Sequence, residues 1–236
     1  MKRTNVTAIV AMTGIAGAAA AQVELASQTF DDNNTAPQIT DNADFGSLQG
    51  QFFDGTGLGW GLSFTDTRGT GSGGPVDGSE SGDFIGVTDF TGEVGAFPTP
   101  AQGFQWNDTD GLVTLSFDAI DATGFTDLAL DFGWFVTETG FEDEDFFAVE
   151  VNGDRIFEVR GDNLESGPFS GDFGFPSLDL SAFDGLSAVN IDFLADTNSG
   201  SETIYLDNVR VTGIPTPGTV AMLGLGGLAA ARRRRA

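Results

Sequence analysis

Residues 112–120 read LVTLSFDAI and residues 128–136 read LALDFGWFV. In the first, Val113, Leu115, Phe117 and Ala119 alternate with Thr114, Ser116 and Asp118. In the second, Leu128, Leu130, Phe132, Trp134 and Val136 share one side. A period of two sends successive side chains to opposite faces of an extended chain, so both stretches are read as half-buried strands. Outward from them, FFAVEV (146–151) and RIFEVR (155–160) flank Asn152-Gly153-Asp154. Asn-Gly favours the positive backbone angles of a tight turn, which predicts an antiparallel hairpin. AVNIDFLA (188–195) and ETIYLDNVRVTG (202–213) form a last pair of strands, joined by the polar loop Asp196–Ser201. In that last strand the apolar phase breaks, with Ile204 and Leu206 on one face and Val209 and Val211 on the other. A bulge at Asp207-Asn208 is expected to bring both pairs into the core.

The stretch from Gln22 to about Gly82 has little periodicity, and TRGTGSGGPVDGSESG (67–82) is its most loop-like part, so short strands between long loops are expected there. No segment between Gln22 and Gly213 has a helical period, although SAFDGL (181–186) suits a single turn. Thirty-four glycines, 22 phenylalanines and closely spaced turn residues point to an all-β fold, an antiparallel β-sandwich of jelly-roll type. Barrel closure is the alternative. Short helical signal segments are expected at both ends.

Residues 1–21, MKRTNVTAIVAMTGIAGAAAA, place Lys2 and Arg3 before an apolar run that closes on small residues. This is the build of a secretory signal peptide, with Ala19 and Ala21 supplying the small side chains and cleavage expected between Ala21 and Gln22. The far end, GIPTPGTVAMLGLGGLAAARRRRA (213–236), sets Pro215-Thr216-Pro217 before fourteen apolar or small residues, Gly218–Ala231, and then Arg232, Arg233, Arg234 and Arg235. The apolar run is shorter than a comfortable membrane span, and the arginines favour the cytoplasmic side, so it is read as a halt in the inner membrane. The expected division is 1–21 signal peptide, 22–213 β-sandwich domain and 214–236 sorting tail.

Cysteine and histidine are both absent. That excludes disulfides, thiolate metal sites and nucleophilic triads of the Ser-His-Asp or Cys-His kind. Away from the two ends, four arginines (Arg68, Arg155, Arg160, Arg210) stand against all 35 acids, a net charge of −31 that repels nucleic acid. Aspartate supplies 25 of the acids, a residue that suits turns and offers oxygen to hard cations.

Glycoside hydrolysis needs only two suitably spaced carboxylates. The densest cluster is GFEDEDFFAVE (140–150), containing Glu142, Asp143, Glu144, Asp145 and Glu150. It lacks the Glu-x-Asp-x-x-Glu strand motif of sandwich-fold glucanases, so Glu142–Asp145 is read as a solvated loop entering a strand. The aromatic residues suited to stacking on a sugar ring are Trp60, Trp106, Trp134 and Tyr205, of which Trp134 lies in phase with Leu130 and Phe132 and reads as core. Trp60 in GLGWGLSF (57–64) and Trp106 in GFQWNDTDG (103–111) stand among glycines and polar residues, which makes them the candidate carbohydrate-binding platform.

The arrangement of Pro215-Thr216-Pro217, apolar segment and Arg232–Arg235 resembles the C-terminal sorting signal of PEP-CTERM proteins, here in a Pro-Thr-Pro variant. That resemblance implies recognition by an exosortase-type enzyme, transient inner-membrane association, removal of the tail and delivery to the cell surface or its matrix. A second resemblance covers roughly residues 83–213. The run of GDFIGVTDF, LVTLSFDAIDATGFTDLALDF, DFFAVEVNGDRIFEV and ETIYLDNVRVTG is similar to jelly-roll modules of bacterial extracellular proteins, which resemble carbohydrate-binding and galactose-binding-like domains. In such modules the first strand's acid and an Asp on the last strand often meet at a structural calcium ion. The matching positions are Asp31 and Asp207. The expectation is an exported, non-enzymatic surface or matrix protein with a structural or adhesive role. A carbohydrate-binding module with a polysaccharide partner is the alternative, and a glycosidase the third reading.

Overall fold

The computed structural model describes residues 21–31, 39–40, 51–53, 60, 62–66, 84–88, 91–99, 102–109, 111–137, 140–168 and 170–216. Residues 1–20 and 217–236 of the expected signal segments, with Ala19, Pro217 and Arg232–Arg235, lie outside these, as does Arg68. Two antiparallel sheets pack face to face. The first has the order β11 (Ser177–Asp179), β8 (Phe125–Val136), β13 (Thr203–Pro215), β6 (Gly103–Asn107), β5 (Phe84–Thr88), β2 (Ile39–Thr40), with β1 (Val23–Gln28) also on β13. The second runs β10 (Asp154–Arg160), β9 (Phe146–Val151), β12 (Ile191–Asp196), β7 (Val113–Phe117), β4 (Leu62–Asp66), β3 (Gln51–Phe53). The antiparallel β-sandwich expected from the period-two pattern is the fold observed.

Strand β7 buries Val113, Leu115 and Phe117 and leaves Thr114 and Ser116 partly open, as alternation requires. The core between the sheets is aromatic. Phe132 and Trp134 of β8 meet Phe147 of β9 and Phe193 of β12, with Phe132–Phe193 centroids 5.2 Å apart and Trp134 stacked on Phe147 at 4.9 Å. Each such side chain removed from water contributes roughly 1.5–3 kcal/mol. The hairpin β9–β10 turns at Asn152 (φ 52°) and Gly153 (φ 83°), the pair of positive angles that a primed two-residue turn demands. Asp154, read above as part of the turn, already pairs with Val151.

Strands β12 and β13 are not hairpin partners, contrary to the reading of 188–195 and 202–213 as a pair. Strand β12 lies between β9 and β7 in one sheet and β13 between β8 and β6 in the other, so the loop after Asp196 crosses the sandwich. That crossing is pinned by two buried threonines. The Thr109 backbone N–H donates to Thr197 Oγ1 at 3.0 Å, and the Thr197 N–H to Thr109 Oγ1 at 2.9 Å.

The bulge expected at Asp207-Asn208 is present: register on β8 shifts between Asp207 and Arg210, and Asn208 has φ 49°. Ile204, Leu206, Val209 and Val211 all end in the core. The bulge also marks a change of partner. On one edge β13 pairs with β6 through Thr203–Leu206 and with β1 through Val209–Gly213. SAFDGL contains one turn of 3-10 helix, Ser181–Phe183, as expected, and a four-residue helix, α1 (Asp162–Glu165), carries no sequence period long enough to read.

Candidate functional site

The loop from β8 to β9, the crossover loop from β12 to β13 and the start of α1 converge at one corner of the sandwich. Three carboxylates meet there. One oxygen each from Glu142, Asp145 and Glu202 lies within 4.8 Å of the other two. Glu142 is exposed, whereas Asp145 and Glu202 are each 0% exposed. Local backbone folding holds them. The Glu142 N–H donates to Asp145 Oδ2 at 2.6 Å, the Asp145 N–H donates to the Glu142 carbonyl at 3.1 Å, and the Asn198 N–H donates to Glu202 Oε2 at 2.7 Å. The remaining oxygens, Asp145 Oδ1 and Glu202 Oε1, are buried and have no hydrogen-bond donor. Burial pushes both carboxyls above the ordinary carboxylate range, and the negative neighbours push the same way: Glu142 and Asp196 on Asp145, and Asp145 and Glu142 on Glu202.

At the junction where β6 ends and β1 begins along β13, Asp207 is fully buried. Its carboxylate takes the Thr99 N–H at 2.8 Å and the Thr99 hydroxyl at 2.6 Å, and also accepts from the Asn208 N–H at 2.6 Å. Asp31 accepts the Gln102 N–H at 3.1 Å from the same connecting segment. Burial raises the Asp207 carboxyl to about 6, with the three donors pulling it down and the charge of Asp31 pushing it up. The two acids named from the resemblance are thus brought to one place, each engaged with the segment between β5 and β6. Both oxygens of Asp207 are occupied by donors, unlike those of Asp145 and Glu202.

The expected aromatic platform is not exposed. Trp106 is 0% accessible, in edge contact with Phe104 at 4.6 Å and Phe147 at 6.0 Å. Trp60 is 8% accessible, lies 4.4 Å from Phe117 and donates its indole N–H to the Asp118 carbonyl at 2.6 Å. Their glycine-rich and polar neighbours in sequence suggested openness, but facing strands of the sandwich cover both rings. Trp134 is core, as its phase indicated, and buried Tyr205 donates to Glu93 Oε2 at 2.7 Å. Glu144 and Asp143 are exposed, and Glu150 pairs with Arg155 at 2.7 Å on the open face of β9.

A groove of about 300 Å³ runs beside edge strand β11, lined by Asp127, Leu128, Ala129, Ser177, Leu178, Asp179 and Ser181. Close to it in sequence, Phe175 is 61% exposed, the most exposed large apolar side chain among the described residues. At the end of β13, Pro215 still pairs with Phe125, and the Thr216 N–H donates to the Gly124 carbonyl at 2.8 Å. The expected sorting motif therefore starts on the sheet. At the other end, Gln22 donates to Thr212 Oγ1 at 2.6 Å just before β1.

No family matches the chain, and no curated protein matches it. Among solved structures it is similar to the K3 cleaved adhesin domain of Lys-gingipain from Porphyromonas gingivalis, at 15% identity and a TM-score of 0.40, over 81% of this chain and 99% of that one. It is similar to a cyclase from Fischerella sp. TAU at 12% identity and a TM-score of 0.38, over 83% and 99%. TmCBM61 in complex with β-1,4-galactotriose gives 10% identity and a TM-score of 0.35, over 53% and 79%.

Proposed function

We propose that this chain is an exported, non-catalytic β-sandwich of the cell surface or extracellular matrix, sorted through its tail by an exosortase-type enzyme and serving a structural or adhesive role. One observation carries the reading. Pro215, the first residue of the sorting-like motif, is the last residue of β13, the strand flanked by β8, β6 and β1, so the motif begins at the end of a strand paired on both edges. An enzyme that detaches the tail then leaves the core of the sandwich intact. The non-catalytic reading rests on exposure: two of the three clustered carboxylates are sealed from solvent, where a polymer substrate does not reach them.

The test is expression in the native cell of the full chain and of a chain ending at Thr216, whose N–H donates to the Gly124 carbonyl of the sandwich. The full chain is expected at the surface or in the matrix, beginning at Gln22 and lacking Arg232–Arg235 by mass spectrometry. The shortened chain is expected elsewhere. Identical location of both overturns the sorting reading.

The groove beside β11 favours a second reading, binding of a polysaccharide. Asp127, Asp179, Ser177 and Ser181 offer acceptors and donors for sugar hydroxyls, and Phe175 offers an exposed ring. Binding to a panel of polysaccharides, lost in both Asp179→Asn and Phe175→Ala, is the result expected of this reading. Retention of binding in both removes it.

A further inference from the structure

We propose that Glu142, Asp145 and Glu202 form a calcium site that ties the β8–β9 loop to the crossover between β12 and β13. The geometry suits one hard cation. Calcium sits ~2.3–2.6 Å from each oxygen, so ligands on one ion lie up to ~5 Å apart, and the three carboxylate oxygens fall within 4.8 Å of one another.

The second observation is independent of the clustering. Asp145 Oδ1 and Glu202 Oε1 belong to side chains that are 0% exposed, and neither accepts a hydrogen bond. A buried carboxylate oxygen without a donor or a counter-charge is costly, and a cation supplies what both lack. Each of these carboxylates has its other oxygen held by a backbone N–H, from Glu142 or from Asn198, which fixes the free oxygen in place. The ion pairs of the described residues join Arg155, Arg160 and Arg210 to Glu150, Glu158 and Asp131, none of the three carboxylates. The all-oxygen donor set selects a hard ion over zinc or copper. Calcium is favoured over magnesium because ligands from two separate loops, one of them exposed, suit an ion with flexible coordination.

This pocket is distinct from the Asp31–Asp207 pair, so the two are separable by mutation. The full mature chain is stripped with EDTA and titrated with calcium chloride by calorimetry, and its melting temperature is followed with calcium chloride, magnesium chloride, or sodium chloride at matched ionic strength. Saturable calcium binding and a rise in melting temperature beyond that with sodium are expected. Glu142→Gln, at the exposed ligand, weakens calcium binding by about tenfold or more, since one charged ligand is lost. Glu202→Gln abolishes the calcium-specific rise, and Asp207→Asn retains it. Should Glu202→Gln fail to fold, Glu142→Gln alone decides. Unchanged calcium affinity in Glu142→Gln overturns the proposal, as does a rise that sodium chloride reproduces. A rise lost in Asp207→Asn and kept in Glu142→Gln overturns it too, and assigns calcium to the Asp31–Asp207 pair.

Discussion

Asp207 occupies the one point along β13 where the partner strand on one edge changes, and its carboxylate replaces the ladder that neither β6 nor β1 supplies there. Three donors hold it, yet burial dominates and lifts it to about 6. An unfolded chain releases the same proton near ~3.9. Between those values the folded state keeps a proton that the unfolded state has lost. The contribution is therefore fully present below pH ~4 and is lost as pH rises through about 6, of order 2–3 kcal/mol in total. In EDTA, urea unfolding at pH 4, 5, 6 and 7 is expected to show a stability difference between wild type and Asp207→Asn that moves in favour of the variant across this window. Parallel pH profiles for the two proteins contradict the assignment.

At the scale of elements, two loops with glycines at positive φ set the corners of the sandwich. Gly153 (φ 83°) lies in the β9–β10 turn, with open space where a side chain would go. Gly140 (φ 109°) closes the β8–β9 loop against the crossover. A Cβ there would lie 2.6 Å from Ser201 Oγ and 3.3 Å from Glu202 Oε1. Gly153→Ala is expected to cost about 1 kcal/mol, from backbone strain alone. Gly140→Ala adds a clash to the strain and is expected to cost about 2–3 kcal/mol. Midpoints of chemical denaturation check the order, and equal shifts for the two variants would mean that the loops are not packed as described. The Asn152-Gly153 turn is legible in the sequence because its conformation is local. Gly140 is not, because what crowds it arrives from a distant loop.

For the molecule as a whole, charge sets the response to solvent. The net −31 between the two ends repels itself in the folded state. The ion pairs of Arg155, Arg160 and Arg210 are exposed at the surface, where such pairs contribute about 0–1 kcal/mol each. Screening therefore removes more repulsion than attraction. Raising sodium chloride from ~0.05 to ~0.5 M, which shortens the Debye length to well under 10 Å, is expected to raise the melting temperature by ~2–4 °C per kcal/mol of relieved repulsion. A falling melting temperature would show that the arginine pairs outweigh the excess acids.

The all-β class of this fold was readable from the chain alone, because alternation in LVTLSFDAI and LALDFGWFV is a local property of half-buried strands, whereas the packing of two sheets decided the sandwich over barrel closure. The bulge at Asp207-Asn208 was readable for the same reason, since Ile204 and Leu206 fall out of phase with Val209 and Val211. Tertiary structure decided the rest. The neighbours of Trp60 and Trp106 are glycine and polar residues, and only the strands that fold over them bury the rings. The sequence places β12 directly before β13, whereas packing divides them between sheets, because each must lay its apolar face against the opposite layer. Glu142 and Asp145 read as a solvated loop until the crossover brings Glu202 beside them, since a run of acids looks the same in sequence whether it faces water or a partner loop buries part of it.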